Sequence, residues 1–374
     1  MLQKFFHALA KADWPLLIVV LFLVVIGMVG IYSVEVTADE PDYALVIRQA
    51  IFFVVGMAFM IFVLAIDYRQ IRGWSWVLFG LSTALLVGVL AFGTTIRGTK
   101  GWFMLVGDLG FQPVELVKIF VIIVLAKLLY DWRGEIHRLQ HLVQLLGLVG
   151  VLIGLVLIQP DFGSAFIIGS ITLGLLGIIR MPRKFLVWLL VGLVIMSVLG
   201  WQFVLRDYQK ERILTFLQPD RDPYGSGYNI KQSIIAVGSG NLFGRGLALG
   251  PQSRLNFLPV QETDFIYAVI AEQLGLIGSG LIIVLFVVLV YRLVGIARRA
   301  RDDFGLFMVM GTVIYFCAQA VMNIGMNVGL LPIAGVPLPF VSYGGSSLVA
   351  SLILVGLVQS VHIHNSAPEA RSKF

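Results

Sequence analysis

The sequence predicts an all-α polytopic integral membrane protein with about ten transmembrane helices and one long extracytoplasmic loop between helices 7 and 8. Three observations carry that prediction. Hydrophobic residues make up 59% of the 374-residue chain and charged ones only 13%, with a mean hydropathy of +0.94, whereas soluble domains carry about 25% charged residues. Apolar runs recur at lengths near the roughly 20 residues that a spanning helix needs. Basic residues gather in short clusters after alternate runs, the positive-inside pattern of membrane topology. The net charge of +6 therefore reports orientation in a membrane and excludes a nucleic-acid footprint.

The runs fall at about 15–34, 46–66, 74–93, 113–130, 142–158, 162–179, 185–204, 265–291, 305–326 and 346–363. The first is longer than the roughly 7–15-residue core of a signal peptide and lacks a small-x-small cleavage site, so it is expected to stay as a helix. Lys4 and Lys11 precede it. Arg69 and Arg72 follow the second run, Arg133 and Arg138 the fourth, Arg180, Arg183 and Lys184 the sixth, and Arg292, Arg298, Arg299 and Arg301 the eighth. These clusters share one side, which places both termini in the cytoplasm. The chain 1–374 reads as one membrane domain, with 205–264 as a long outer loop within it. That loop holds seven basic residues, yet loops near 60 residues translocate largely regardless of charge. Cys317 is the sole cysteine, so no internal disulfide holds the loop.

Charged groups in or at the mouth of membrane helices are functional candidates by default. Arg48 stands at the outer start of the second helix. Glu115 and Lys118 open the fourth, three residues apart on one face, where they neutralise each other; they serve either as a structural ion pair or as groups facing a substrate. Asp161 precedes the sixth helix as a cap for its free amides. In the long loop Arg212, Lys231, Arg245 and Arg254 give a positive field suited to phosphates. The segment 329–347 is too rich in proline and glycine for a regular helix. Irregular backbone at membrane depth is tolerated only where it is buried in protein or lines a wet cavity, so this segment, with Ser342 and Tyr343, is expected to wall the site. Asp264 closes the long loop just before the eighth helix. The residues alone leave it open whether Asp264 caps that helix or acts as a base; Thr263 is a competing cap.

Four motifs then identify a resemblance: Gly-Tyr-Asn-Ile-Lys-Gln-Ser (227–233), Gln-Ser-Arg-Leu-Asn-Phe-Leu-Pro (252–259), Thr-Asp-Phe-Ile (263–266) and Pro-Leu-Pro-Phe-Val-Ser-Tyr-Gly-Gly-Ser-Ser (337–347). In these, and through Asn365, the chain resembles the SEDS family (shape, elongation, division, sporulation), most closely its RodA branch. The resemblance implies a bacterial plasma-membrane peptidoglycan glycosyltransferase. It would join lipid II units through a β-1,4 bond on the extracytoplasmic face and release undecaprenyl pyrophosphate.

By that resemblance Asp264 is the catalytic base, while Arg48, Lys100, Trp102, Glu115, Lys118, Arg212, Lys231, Arg245, Ser342 and Tyr343 bind substrate. The family arginine before the matching tryptophan is absent, since Gly101 precedes Trp102; Lys100 or Arg97 takes its place. No metal-ligand spacing appears, so a divalent cation, Mg²⁺ or Mn²⁺, would rest largely on substrate phosphates. The implied partner is a class B penicillin-binding protein, a transpeptidase of the elongation machinery. Its single helix is expected against the eighth and ninth helices near Gly278, Gly280, Gly311 and Ala318. Two readings from other classes use the same polar groups: a lipid II flippase, and a scaffold that only recruits the transpeptidase. A flippase needs polar groups through the full membrane depth, whereas here they crowd at the outer end.

Overall fold

The computed structural model describes residues 11–37, 43–96, 98–106, 109–133, 138–179, 207–222, 225–255 and 257–364, with single positions among 187–202. The seventh apolar run, 185–204, therefore lies almost wholly outside the described residues, as does Arg97. Seven described helices are long and apolar enough to cross a membrane: α1 (Trp14–Glu35), α2 (Ala44–Ala65), α4 (Ser75–Phe92), α6 (Leu139–Ile158), α11 (Ile266–Arg299), α12 (Asp303–Asn327) and α13 (Gly345–Ile363). The chain is thus a multi-pass membrane protein. Two more helices match predicted runs: α5 (Pro113–Asp131), whose ends carry Glu115, Lys118, Lys127 and Asp131, and the 17-residue α7 (Phe162–Ile178). The short α3 (Tyr68–Gly73) follows α2.

The packing explains which helices are central. α13 lies mainly against α2, and α12 against α5, α7 and α11. The most apolar stretch of α13 is 72% buried, against 17% for α2, so α13 is an inner helix and α2 presents a broad outer face. Close approach depends on Gly356, where a side chain would begin 2.7 Å from the Met60 carbonyl oxygen.

At the basic end, arginines meet buried carboxylates. Asp13 caps α1 through the Leu16 amide at 3.0 Å and pairs with Arg292. Asp302 caps α12 through the Gly305 amide at 2.7 Å, accepts the Tyr68 hydroxyl at 2.9 Å and pairs with Arg69 at 3.3 Å. Asp303 pairs with Arg133 at 3.4 Å. These contacts also explain why α11 outruns its predicted end near 291. Arg292 is held by Asp13, and Arg298 and Arg299 sit in the last turn, where cations suit the helix dipole.

At the opposite end the second outer loop is a three-stranded antiparallel sheet of β1 (Thr94–Ile96), β2 (Thr99–Val106) and β3 (Leu109–Phe111). The long loop folds as α8 (Asp207–Leu217), a single 3₁₀ turn, the amphipathic α9 (Ser226–Ser239) and α10 (Pro251–Arg254). α11 is broken at Gly275, whose φ of 66° favours glycine. The groups freed there are taken up by the loop: Leu276 and Ile277 amides donate to the Asn241 and Leu242 carbonyls, and Arg245 and Gly246 amides donate to those of Glu272 and Gln273.

Candidate functional site

Asp264 lies at the end of the bundle opposite the paired arginines, immediately before α11, and is part-buried. From Asp303 to Asn323, which bonds to it, α12 climbs 20 residues (323 − 303). At about 1.5 Å per residue that is roughly 30 Å, the thickness of a bilayer's hydrocarbon core. The Asp264 backbone is held from several directions. Its amide donates to the Val260 carbonyl at 3.2 Å, and its carbonyl accepts from Asn323 Nδ2 at 3.1 Å and Asn327 Nδ2 at 2.9 Å. The Asp264 carboxylate oxygen Oδ2 lies 3.9 Å from where a side chain on Gly335 would begin. A side chain there would only touch the carboxylate at van der Waals distance; the φ of 64° at Gly335 is what favours glycine.

The irregular segment 331–344 packs against the chain leading to Asp264. Ser342 Oγ donates to the Thr263 carbonyl at 2.6 Å and accepts the Leu338 amide at 2.8 Å, while the Tyr343 amide donates to the Glu262 carbonyl at 2.8 Å. Gln49 fastens it to α2, donating to the Ser342 carbonyl at 3.1 Å and accepting the Gly344 amide at 3.2 Å. Ser342 is therefore 4% exposed and fixes backbone, with its hydroxyl turned inward. Tyr343 reaches Arg48: burial pushes its phenol up, and the Arg48 guanidinium hydrogen-bonded to it pulls the other way. Glu262 and Glu35 lie close enough to oppose Arg48 there. Glu35, which the sequence reading passed over, ends α1 and caps α2 through the Leu45 and Val46 amides at 2.6 and 3.1 Å.

The N-cap position of α11 belongs to Phe265, whose side chain caps nothing, and the Ala268 amide in the first turn donates to Asn327 Oδ1 at 3.2 Å. Asp161, by contrast, is a cap as expected, accepting the Ser164 amide at 2.9 Å.

Glu115 and Lys118 form the expected pair at 2.7 Å, but they are 2% and 1% exposed and so lie beneath the outer mouth. Lys118 also sits 5.6 Å from the centre of the Tyr315 ring. The second Glu115 oxygen faces a buried group of polar atoms on Tyr315, Gln319 and Ser351, treated below. Lys231 pairs with Asp220 at 2.5 Å on the outer surface, and Arg245 and Arg254 are exposed. Lys100 is part-buried on β2, and Trp102 lies over Gly110, where a side chain would begin 2.9 Å from the indole ring. The side chain of Arg212, on α8, lies outside those described. The structure thus brings Asp264, Ser342, Tyr343 and Arg48 to one end of the bundle, with Lys231, Arg245 and Arg254 exposed on the long loop. Among the described residues no three His, Cys, Asp or Glu side chains converge on a metal site.

The reading missed Asn323 and Asn327, buried polar residues four apart in an otherwise apolar helix. It also missed Glu272, 0% exposed, whose carboxylate accepts the Gln252 and Ser253 amides at 2.8 and 3.0 Å and so anchors α10. Intramembrane asparagine and glutamate were themselves the available signal.

Residues 13–367 match the cell cycle protein family described as FtsW/RodA/SpoVE. The chain is 36% identical over 369 residues to the peptidoglycan glycosyltransferase MrdB of Escherichia coli (strain K12), covering 97% of this chain and 96% of that one. It is 37% identical over 360 residues to the stage V sporulation protein E of Bacillus subtilis (strain 168), covering 93% and 96%. Among solved structures, it matches a chain from work on the coordination of polymerization and crosslinking by a peptidoglycan synthase complex. That match has a TM-score of 0.79, 30% identity and coverage of 95% and 98%. A crystal structure of the rod shape determining protein RodA of Thermus thermophilus matches with a TM-score of 0.72, 28% identity and coverage of 95% and 98%.

Proposed function

The chain belongs to the FtsW/RodA/SpoVE family, and from that premise we propose how its outer site works as a peptidoglycan glycosyltransferase. The activity is that of its MrdB relative. The substrate is lipid II, and the reaction joins two units: a sugar hydroxyl of the acceptor attacks the anomeric carbon of the donor, a β-1,4 bond forms, and the bond to undecaprenyl pyrophosphate breaks. Asp264 takes the hydroxyl proton. The observation that carries this reading is a carboxylate at the outer end of the bundle whose backbone is fixed by Asn323, Asn327 and Val260, with Oδ2 beside Gly335 of the irregular segment. A base held this way keeps its geometry through the reaction, and general-base assistance is typically worth about 10²–10⁴ in rate.

Positive charge for the pyrophosphate comes from Arg48 at the wall and from Lys231, Arg245 and Arg254 on the loop. Lys100 and Trp102 on β2 border the same outer face. A divalent cation would add charge neutralisation at the phosphates and would rest largely on the phosphate oxygens. The Glu115–Lys118 pair supports the site from below. The membrane is the bacterial plasma membrane, with the paired arginines of Asp13, Asp302 and Asp303 on the cytoplasmic side.

The solved relative in a synthase complex supports a crosslinking partner, which we take to be a class B penicillin-binding protein. Its helix cannot use Gly311, where a side chain would begin 2.8 Å from Ile122 inside the bundle. It fits the exposed side of α11 lined by Leu276, Ile277, Leu281, Val284 and Val287, where Gly280 has open space.

The test is glycan length by gel from lipid II with purified protein, alone and with the transpeptidase, crosslinking blocked by a β-lactam. Polymer that disappears in Asp264→Asn is expected. Lipid II translocation in vesicles without polymer would instead favour the flippase.

A further inference from the structure

Phe265 is the N-cap of α11, so the Ala268 amide is one of the first-turn amides that no carbonyl within the helix reaches. The Asn327 carboxamide takes it and bridges to the residue before the cap: its Oδ1 accepts the Ala268 amide at 3.2 Å, and its Nδ2 donates to the Asp264 carbonyl at 2.9 Å. The first rung proper, the Val269 amide to the Phe265 carbonyl at 3.1 Å, is ordinary. A side chain of α12 thus caps the first turn of α11 and holds the chain that enters it.

The bridge is locked. Asn323 Nδ2 fills the other lone pair of the Asp264 carbonyl at 3.1 Å and holds the Val336 carbonyl at 2.9 Å. The remaining Asn327 amide hydrogen goes to the Asn323 carbonyl at 2.8 Å, and the Asn327 backbone carbonyl accepts the Ser233 hydroxyl of α9 at 2.8 Å. Both asparagines are 0% exposed, so no bulk water competes. One residue therefore joins α11, α9 and, through Asn323, the irregular segment.

Without it the Asp264 carbonyl loses one of its two side-chain donors and the Ala268 amide its acceptor, both away from water, and the chain entering α11 is free to re-form its first turn. We infer that Asn327 is the positioning residue that fixes the Asp264 backbone against α12 and so sets where its carboxylate stands. The inference rests on the proposed role of Asp264 as base.

The experiment is steady-state polymerisation of lipid II by Asn327→Ala and Asn327→Leu, with Asp264→Asn in parallel and the thermal stability of each variant measured. A misplacement near 1 Å can cost about 10²-fold. The expected result is a fall in kcat of roughly 10- to 100-fold with KM within about threefold and the melting temperature close to the parent. Folded Asn327 variants with kcat within about twofold of the parent, beside a dead Asp264→Asn, overturn the inference and leave the base standing. A loss confined to KM, or one that follows the melting temperature, also overturns it. An active Asp264→Asn removes both. Should the Asn327 variants not fold, Asn323→Ala decides: it deletes one of the two donors to the Asp264 carbonyl and keeps the Ala268 bond. A fall in kcat of about 3- to 10-fold with KM retained is then expected, and an unchanged kcat overturns the inference.

Discussion

Two polar regions inside this bundle are built on opposite terms. Around Asp264, the Asn323 and Asn327 carboxamides and the Ser342 hydroxyl have their partners, and the chain from 262 to 264 is fixed through its backbone. Deeper, between α5, α12 and α13, five atoms are buried without a hydrogen-bond partner: Glu115 Oε2, Tyr315 Oη, both amide atoms of Gln319, and Ser351 Oγ. Tyr315 stands beside the other three residues yet makes no well-formed hydrogen bond to them. The contrast separates two uses of polarity. The outer region spends its groups on position, so small changes there should act on rate. The deeper region keeps one ion pair and several loose dipoles, so changes there should act on stability.

The largest expected effect tests the outer half of that contrast. Asp264→Asn keeps the shape and every backbone bond but removes the base, so polymerisation should fall by about 10²–10⁴ at near-normal melting temperature. Asp264→Glu should lose on the order of 10²-fold, because the carboxylate moves by about one bond. Gel analysis of glycan length beside a melting curve checks both. Robust polymer from a well-folded Asp264→Asn protein would break the comparison at its stronger end.

Next comes the buried pair. Glu115→Ala strands the Lys118 ammonium and should destabilise the protein by about 3–5 kcal/mol, as removing one partner of a buried pair does. Glu115→Gln combined with Lys118→Met should recover most of that in a thermal melt. Full recovery of stability with polymerisation still absent would move the pair from support into the site.

A smaller effect, of opposite sign, is expected at Gln319. An unsatisfied buried polar group carries a penalty of about 1–3 kcal/mol, so Gln319→Leu should be neutral or stabilising. A clear drop in melting temperature would show that the deeper region is satisfied after all and erase the contrast. The least effect on folding is expected on the lipid-facing side of α11. Gly280→Leu should fold normally while weakening co-purification of the transpeptidase, whereas Gly311→Leu should overpack against Ile122 and lose about 1–3 kcal/mol. Equal co-purification of parent and Gly280→Leu would move the docking face elsewhere.

Much of this was legible in the sequence, because hydrocarbon runs announce membrane helices and Asp264 stands where a polar loop meets one. The family motifs carried the activity, which composition could not. The count of ten helices was not settled, since the run at 185–204 falls outside the described residues. The break at Gly275 was hidden in a run where glycine is ordinary, and the φ that marks it appears only once the 240–246 loop is in place. The bridge made by Asn327 was hidden for a similar reason: it is a contact across 59 residues, and only the fold brings Ala268 to Asn327. The Glu115–Lys118 pairing was legible from its three-residue spacing, but its burial was not, because spacing sets a partner and says nothing of what packs over it.

The break in α11 has a consequence for handling the outer loop as a molecule. The loop's amides at 245, 246, 252 and 253, and its carbonyls at 241 and 242, end on α11, and no disulfide supports them. Cut from the helices, a soluble peptide of residues 205–264 would present six unmatched backbone groups and no crosslink. Antibodies or inhibitors raised against such a peptide would meet a shape the cell never displays. Reagents for this face have to be selected on the intact protein in detergent or bilayer, where the membrane helix serves as the loop's missing half.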